Sequence, residues 1–197
     1  MEHRDDEGAR LGMWIFIFTE ILLFGGLFLV YAVMRATYSA EFHQAAHHLN
    51  AFIGAINTLV LLASSATVAM SITAVQKGDN KRAVILLFVT LICAGIFLVN
   101  KYFEWGHKFH IGLYPGSPMM VTLKHGSVMF FSLYFFMTGL HMLHLIIGGI
   151  ILTIVMVKVQ TGSIHAGRYV LLENGGLYWH LVDLIWIFLF PLLYLIT

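Results

Sequence analysis

The chain has 197 residues, of which 59% are hydrophobic and only 11% are charged, and 18 more residues are glycine. A soluble fold of this size cannot bury so much apolar surface, so the composition predicts an integral membrane protein. The formal net charge of +1 gives no electrostatic basis for binding nucleic acid, and the single cysteine excludes an intrachain disulfide and any multi-cysteine metal or iron–sulfur site.

Five continuous apolar stretches are each long enough to cross a bilayer as a helix, which takes about 20 residues. In chain order they are residues 13–34, 51–75, 83–102, 126–157 and 177–197. They are apolar throughout rather than alternating, which favours helices over a β-barrel. Because short polar loops separate them, with no internal repeat and no long linker, we predict an all-α bundle of five transmembrane helices in one domain, 1–197.

The distribution of lysine and arginine predicts how the bundle is oriented. The N-terminus and the second and fourth loops together hold seven of these residues. The first and third loops hold four when Lys101, at the end of the third stretch, is counted with them. Basic residues are enriched on the cytoplasmic side of membrane proteins. We therefore predict a cytoplasmic N-terminus and a C-terminus outside. The acidic N-terminal segment does not have the pattern of a signal peptide.

Glu20 is the most conspicuous polar residue, because it lies seven residues into the first predicted helix. An ionisable group inside a membrane is costly and is therefore a functional candidate. Two hypotheses remain open from the residue alone. Glu20 is either a proton-relay or lipid-contact carboxyl that faces the bundle interior, or a protonated carboxyl that donates one hydrogen bond between helices.

Two pairs of polar residues repeat a spacing of three in the last two predicted helices. His141 and His144 share one face of the fourth helix, and His180 and Asp183 share one face of the fifth. Histidines from two helices can ligate a haem or a copper ion. A hydrogen-bonded polar layer between the two helices is favoured here, because no stronger metal-ligand motif accompanies them. Glu104, just beyond the third stretch, is expected to be solvated or to face lipid headgroups.

Four motifs, in this order along the chain, resemble the cytochrome c oxidase subunit III family. They are FIFTEILLF at 16–24, NTLVLLASS at 57–65, GLHMLHLIIG at 139–148 and YWHLVDLIW at 178–186. The resemblance covers essentially the whole chain and implies the short, five-helix bacterial form. Longer members have seven helices, and this chain resembles them from their third helix onward. Lys158 falls where longer members tend to carry an arginine, which unlike lysine can bind a phosphate through two parallel hydrogen bonds.

The resemblance implies a non-redox accessory subunit of a bacterial haem–copper terminal oxidase, a complex that reduces oxygen to water and pumps protons. Such a subunit stabilises subunit I and supports proton uptake, and has no catalytic residue of its own. The resemblance places the haems and copper in partner subunits, with none bound by this chain. It implies subunit I as the main contact, with subunit II and membrane lipids as further partners, in the bacterial cell (inner) membrane. Phospholipid is a candidate ligand, and a larger respiratory supercomplex is a candidate assembly.

The resemblance also suggests a role for each of the polar residues. Glu20 corresponds to the family's buried helix carboxyl, which would support proton uptake. The inter-helix polar network, without metal, would comprise His141, His144, His180 and Asp183. The candidate contacts to lipid headgroups are Lys158, Glu104 and Glu173.

Alternative functions remain open at this point. The chain could be the equivalent subunit of a quinol oxidase or of a nitric oxide reductase, because the electron donor binds elsewhere in such complexes. A di-haem membrane anchor would use His141 or His144 together with His180. A small transporter is disfavoured, because no predicted helix is broken and no inverted repeat is present.

Overall fold

The computed structural model describes residues 5–196, and within this range the chain forms helices and no β-strand. The helices are α1 (Asp6–Thr37), α2 (Ser39–Ala46), α3 (Ala51–Gln76), α4 (Asn80–His110), α5 (Pro118–Thr122), α6 (His125–Gln160) and α7 (Val170–Tyr194). In this part of the chain, five of them (α1, α3, α4, α6 and α7) are long and apolar enough to cross a membrane. The predicted all-α bundle with five membrane-spanning helices is therefore confirmed.

The helices extend beyond the apolar stretches from which they were predicted. The third stretch ends at residue 102, whereas α4 continues to His110 and is about 46 Å long. The hydrocarbon core of a bilayer is only about 30 Å thick, so hydrophobicity marks the part of a helix inside it and not the whole helix. Polar caps set the outer ends. The Asp79 side chain, for example, accepts a hydrogen bond from the backbone N–H of Arg82 at 3.1 Å where α4 begins.

A tight turn joins α3 to α4 and makes them an antiparallel hairpin. Gly78 has a φ of +79°, a left-handed conformation that favours glycine, and its N–H donates to the carbonyl of Val75 at 3.0 Å. The next N–H, from Asp79, donates to the carbonyl of Ala74 at 2.9 Å. The chain therefore reverses direction in three residues, and α3 and α4 pack along their lengths.

Helix α7 lies at the centre of the bundle, in contact with α1, α3 and α6. Over the most apolar 18 residues of each helix, 56% are buried in α7 and 11% in α1. Gly148 of α6 allows the close approach of α7, since a Cβ there would lie 3.0 Å from ring atoms of Tyr178 and Trp179. Most of α1 is left to face lipid or another protein.

The ends of α1, α4 and α7 lie at one end of the bundle with the starts of α3 and α6. We call this the α2 end, because α2 packs there against α6. Phe42 of α2 is fully buried and meets the ring of Phe130 edge-on, with ring centres 5.4 Å apart. The opposite end holds the starts of α1 and α7.

Candidate functional site

Glu20 and His144 meet near the middle of the bundle, where α1 packs against α6. The Oε2 atom of Glu20 lies 3.0 Å from Nε2 of His144, and the two side chains are 13% and 10% exposed. The ring of Phe24 packs edge-on against the imidazole, with centres 5.5 Å apart. The polar pair is thus largely enclosed by apolar and aromatic groups.

The second nitrogen of His144 determines which protons the pair can hold. Nδ1 lies 2.8 Å from the carbonyl oxygen of Leu140, and a carbonyl only accepts hydrogen bonds, so Nδ1 carries a hydrogen. Nε2 then either accepts the proton of a neutral Glu20 carboxyl or donates its own proton to the carboxylate. Both arrangements leave the pair without net charge. In the structure the two atoms are within ion-pair distance, but Oε2 of Glu20 forms no hydrogen bond with a described residue.

His180 and Asp183 of α7 contact α3 instead of α6. Nδ1 of His180 lies 2.5 Å from the hydroxyl of Ser65, and Oδ2 of Asp183 accepts from the hydroxyl of Ser64 at 3.5 Å. The indole N–H of Trp179 also donates to Ser64, at 3.0 Å. These side-chain contacts of Ser64 and Ser65 hold α7 against α3.

His141 is fully buried, yet neither of its ring nitrogens has a hydrogen-bond partner among residues 5–196. Its imidazole lies against the rings of Phe97 and Trp186, with centres 5.5 and 5.2 Å apart. Its contacts are therefore mainly aromatic packing.

A second buried cluster surrounds Glu104 near the α2 end. The carboxyl side chain is 7% exposed, and its Oε2 lies 3.1 Å from the Lys101 ammonium, which is completely buried. The hydroxyls of Tyr134 and Tyr194 both donate to Oε1, each at 2.5 Å. Lys101 also donates to the Tyr194 hydroxyl and lies 4.7 Å from the ring centre of Trp186. We call these five residues the Glu104 cluster; it joins α4, α6 and α7.

Comparison with known proteins places this bundle in a family. Residues 3–197 match the family model described as cytochrome c oxidase subunit III. The chain belongs to the cytochrome c oxidase subunit III family. The predicted family is confirmed, and with it an accessory subunit III of a haem–copper oxidase and a multi-pass membrane protein.

Three similar proteins illustrate the range of subunit III relatives. Cytochrome c oxidase subunit 3 of Thermostichus vulcanus is 29% identical over 99% of this chain and 90% of that protein. The heme-copper oxidase subunit I+III of Aeropyrum pernix is 32% identical over 95% of this chain, which spans 22% of that protein. The probable quinol oxidase subunit 3 of Staphylococcus saprophyticus is 28% identical over the whole chain and 94% of that protein.

The predicted polar residues of this subunit III have separate sets of partners in the structure. His144 contacts Glu20 on α1, whereas His180 and Asp183 contact serines on α3. His141 contacts neither pair through a hydrogen bond. Helical spacing correctly indicates which residues share a face, but the neighbouring helix decides what each residue meets. Their functional roles stay predictions.

Glu104 does not lie where the sequence suggested. It was expected to be solvated or to face headgroups, because the apolar stretch ends at residue 102. In the structure α4 continues for two more turns, and the carboxyl points into the bundle to meet Lys101. Their i, i+3 spacing on a continued helix is a signal for this ion pair. Tyr134 and Tyr194 come from distant helices, so no local pattern indicates them.

The other two candidate headgroup residues, Glu173 and Lys158, lie at the opposite end of the bundle. Glu173 forms an exposed ion pair with Arg10, with 2.7 Å between Nη2 and Oε2. Lys158 is exposed and lines a cavity of 460 Å³ together with Arg168. Within residues 5–196, no group of three or more His, Cys, Asp or Glu side chains could hold a metal ion.

Proposed function

We propose that this subunit III stabilises subunit I of a bacterial proton-pumping oxidase and supports its proton uptake, without binding haem or copper itself. In this proposal, residues 1–197 form one domain in the bacterial inner membrane, with the N-terminus in the cytoplasm and the C-terminus outside. The distribution of lysine and arginine, seven against four, supports this orientation.

The contact between Glu20 and His144 is the observation that carries the proposed role in proton uptake. The two groups lie 3.0 Å apart in a largely enclosed site, and the carbonyl of Leu140 fixes the hydrogen on Nδ1 of the imidazole. A pair that holds one proton without net charge can exchange that proton at lower cost than an isolated carboxyl in hydrocarbon. Glu20 is on α1, the least buried of the long helices, which suits a group that serves a neighbouring subunit.

The proposed partners are subunit I, subunit II and membrane lipids, with the haems and copper in the partner subunits. The Aeropyrum pernix relative supports subunit I as the main contact, because its name joins subunits I and III. The broad apolar face of α1 is a suitable surface for that contact. A larger respiratory supercomplex is a further candidate assembly.

Phospholipid headgroups are proposed to contact the end opposite α2. Lys158 and Arg168 line the 460 Å³ cavity there, and each can pair with a phosphate. Glu173 would take part through Arg10, its ion-pair partner, which is half exposed.

The variant Glu20→Gln in the intact oxidase tests the role in proton uptake. The amide has the shape of the carboxyl but cannot give up a proton, so turnover, proton uptake or durability during turnover should fall modestly. The haem absorption spectrum should stay unchanged, because the haems belong to partner subunits. Steady-state oxygen consumption, proton uptake by reconstituted vesicles and an optical spectrum measure these quantities.

Glu7→Gln is the matched control, because it makes the same chemical change on an exposed residue of the same helix. It should behave as wild type. Loss of haem from Glu20→Gln would contradict the accessory role. Identical proton uptake, turnover and durability in Glu20→Gln, Glu7→Gln and wild type would contradict a role of the pair in proton uptake.

A quinol oxidase subunit is the second candidate function. The probable quinol oxidase subunit 3 of Staphylococcus saprophyticus matches the whole chain at an identity close to that of the cytochrome c oxidase relatives. Purification of the complex, followed by assays with reduced cytochrome c and with a quinol, distinguishes the two donors.

A further inference from the structure

The buried charges near the α2 end do not balance. Lys101 and Lys108 are 0% and 2% exposed, and the one carboxylate among them, Glu104, pairs with Lys101. The Lys108 ammonium donates to the backbone carbonyl of His48 at 2.9 Å and lies 5.7 Å from the ring centre of Tyr134. It has no carboxylate oxygen within 4.0 Å among residues 5–196. An ammonium removed from water without an anion is costly.

The whole α2 end has the same excess of positive charge. Its loops and helix ends contain two acidic residues, Glu41 and Glu104, and four basic ones. The four are Arg35, Lys101, Lys108 and Lys124. Glu41 lies on α2, with its Cβ beside the backbone of Gly126, and forms no described ion pair with Lys108. Among residues 5–196, Lys108 is therefore left without a carboxylate in direct contact.

A cavity of 490 Å³ opens beside Lys108, between the start of α3 and the end of α4. Its polar lining consists of His48, Asn50, Asn100, Glu104, His107 and Lys108. An ammonium has three donors, and Lys108 has one described hydrogen bond, to His48, so it retains donors for a ligand. The side-chain amides and imidazoles can donate hydrogen bonds to further oxygen atoms of an anion.

The position of the cavity relative to the membrane indicates the kind of anion. Lys108 lies six residues beyond the end of the third apolar stretch, or about 9 Å along the helix, which is the level of lipid headgroups. The remaining lining residues, Ile53, Ile56 and Phe103, are apolar. A polar part at headgroup level joined to an apolar part matches a phospholipid, whereas inorganic phosphate would leave the apolar part unused.

We propose that this cavity binds one anionic phospholipid, with its phosphate against the Lys108 ammonium and the start of an acyl chain along Ile53, Ile56 and Phe103. This site lies at the α2 end, opposite the end where Lys158 lies, and does not depend on the proposed role of Glu20. The phosphate supplies the negative charge that the buried residues lack.

Lipid binding to the purified oxidase complex tests the proposal. The complex is washed free of loosely bound lipid, and its affinity for phosphatidylglycerol is measured by native mass spectrometry with phosphatidylcholine and inorganic phosphate as alternative probes. Lys108→Gln should weaken the binding of one phosphatidylglycerol about tenfold or more, since it removes a charged hydrogen-bond donor. Lys124→Gln removes the same charge from an exposed residue at the same end and should leave this binding unchanged.

Ile56→Trp is a second variant, which fills the apolar part and leaves the ammonium in place. It should also lose the lipid, so the result does not depend on the folding of Lys108→Gln alone. Phosphatidylglycerol binding that is unchanged in both variants would overturn the proposal. So would equal binding of phosphatidylcholine, or binding of inorganic phosphate as tight as that of phosphatidylglycerol, because these results would indicate no preference for an anionic lipid.

Discussion

Glu20 and Glu104 are both carboxyls enclosed by helices, but their surroundings differ in kind. Glu104 has a lysine and two tyrosine hydroxyls around it, all directed at its oxygens. Glu20 has a single polar contact of this type, to His144. The first arrangement compensates a fixed negative charge, whereas the second can hold its one proton on either partner. The difference separates a structural ion pair from a group suited to proton exchange.

The two sites also differ in the helices that they join. The Glu104 cluster holds together α4, α6 and α7, which form the interior of the bundle with α3. The contact of Glu20 joins the peripheral helix α1 to α6. Loss of the first should therefore affect folding, and loss of the second should affect function more than folding.

The largest expected effect is that of Glu104→Leu. The variant leaves the Lys101 ammonium buried without its carboxylate, and breaking such a pair typically costs about 3–5 kcal/mol. Denaturant titration of the purified subunit in detergent micelles should show this loss in the free energy of unfolding. The double variant with Lys101→Met should be less destabilised than Glu104→Leu alone, because it also removes the unpaired ammonium. An equal loss of unfolding free energy in the single and the double variant would show that the unpaired Lys101 charge does not cause the destabilisation.

Tyr194→Phe is expected to have an intermediate effect. The hydroxyl donates to Oε1 of Glu104 and accepts from Lys101, and a hydrogen bond to a charged group contributes about 1.5–3 kcal/mol. The same titration should detect a loss of that size. Tyr102→Phe is the matched control on α4, because Tyr102 is 76% exposed, and it should leave the free energy of unfolding unchanged.

The smallest expected effect on stability is that of Glu20→Gln. The amide can still donate to Nε2 of His144, and hydrogen bonds between membrane helices average about 0.6 kcal/mol. The free energy of unfolding should therefore fall by less than about 1 kcal/mol. A loss as large as that of Glu104→Leu would mean that both carboxyls contribute to stability as structural ion pairs.

The α4 helix illustrates how far the sequence predicts the fold. The apolar stretch 83–102 predicts a membrane helix correctly, because burial in hydrocarbon requires about 20 apolar residues in sequence. It does not predict that α4 runs from Asn80 to His110, because polar residues outside the hydrocarbon can continue a helix. The two additional turns carry Glu104 and Lys108. Both are buried, although Glu104 was expected to be solvated or to face lipid headgroups.

The polar residues show the corresponding limit for the site. Their i, i+3 spacing predicts that His141 and His144 share a face of α6, since the helical repeat is local. The spacing does not predict that His144 contacts Glu20 and that His141 packs between aromatic rings. These neighbours depend on the rotation of each helix against the next.

The sequence by itself determined the number of membrane helices, their approximate positions and the family. The length of an apolar stretch and the order of motifs depend only on the order of residues along the chain. Tertiary structure alone decided which polar groups meet. The tyrosine partners of Glu104 lie 30 and 90 residues away on α6 and α7, and the partner of Glu20 lies on α6. Such contacts follow from how the helices pack, and packing depends on side-chain shapes along whole helices rather than on any short pattern.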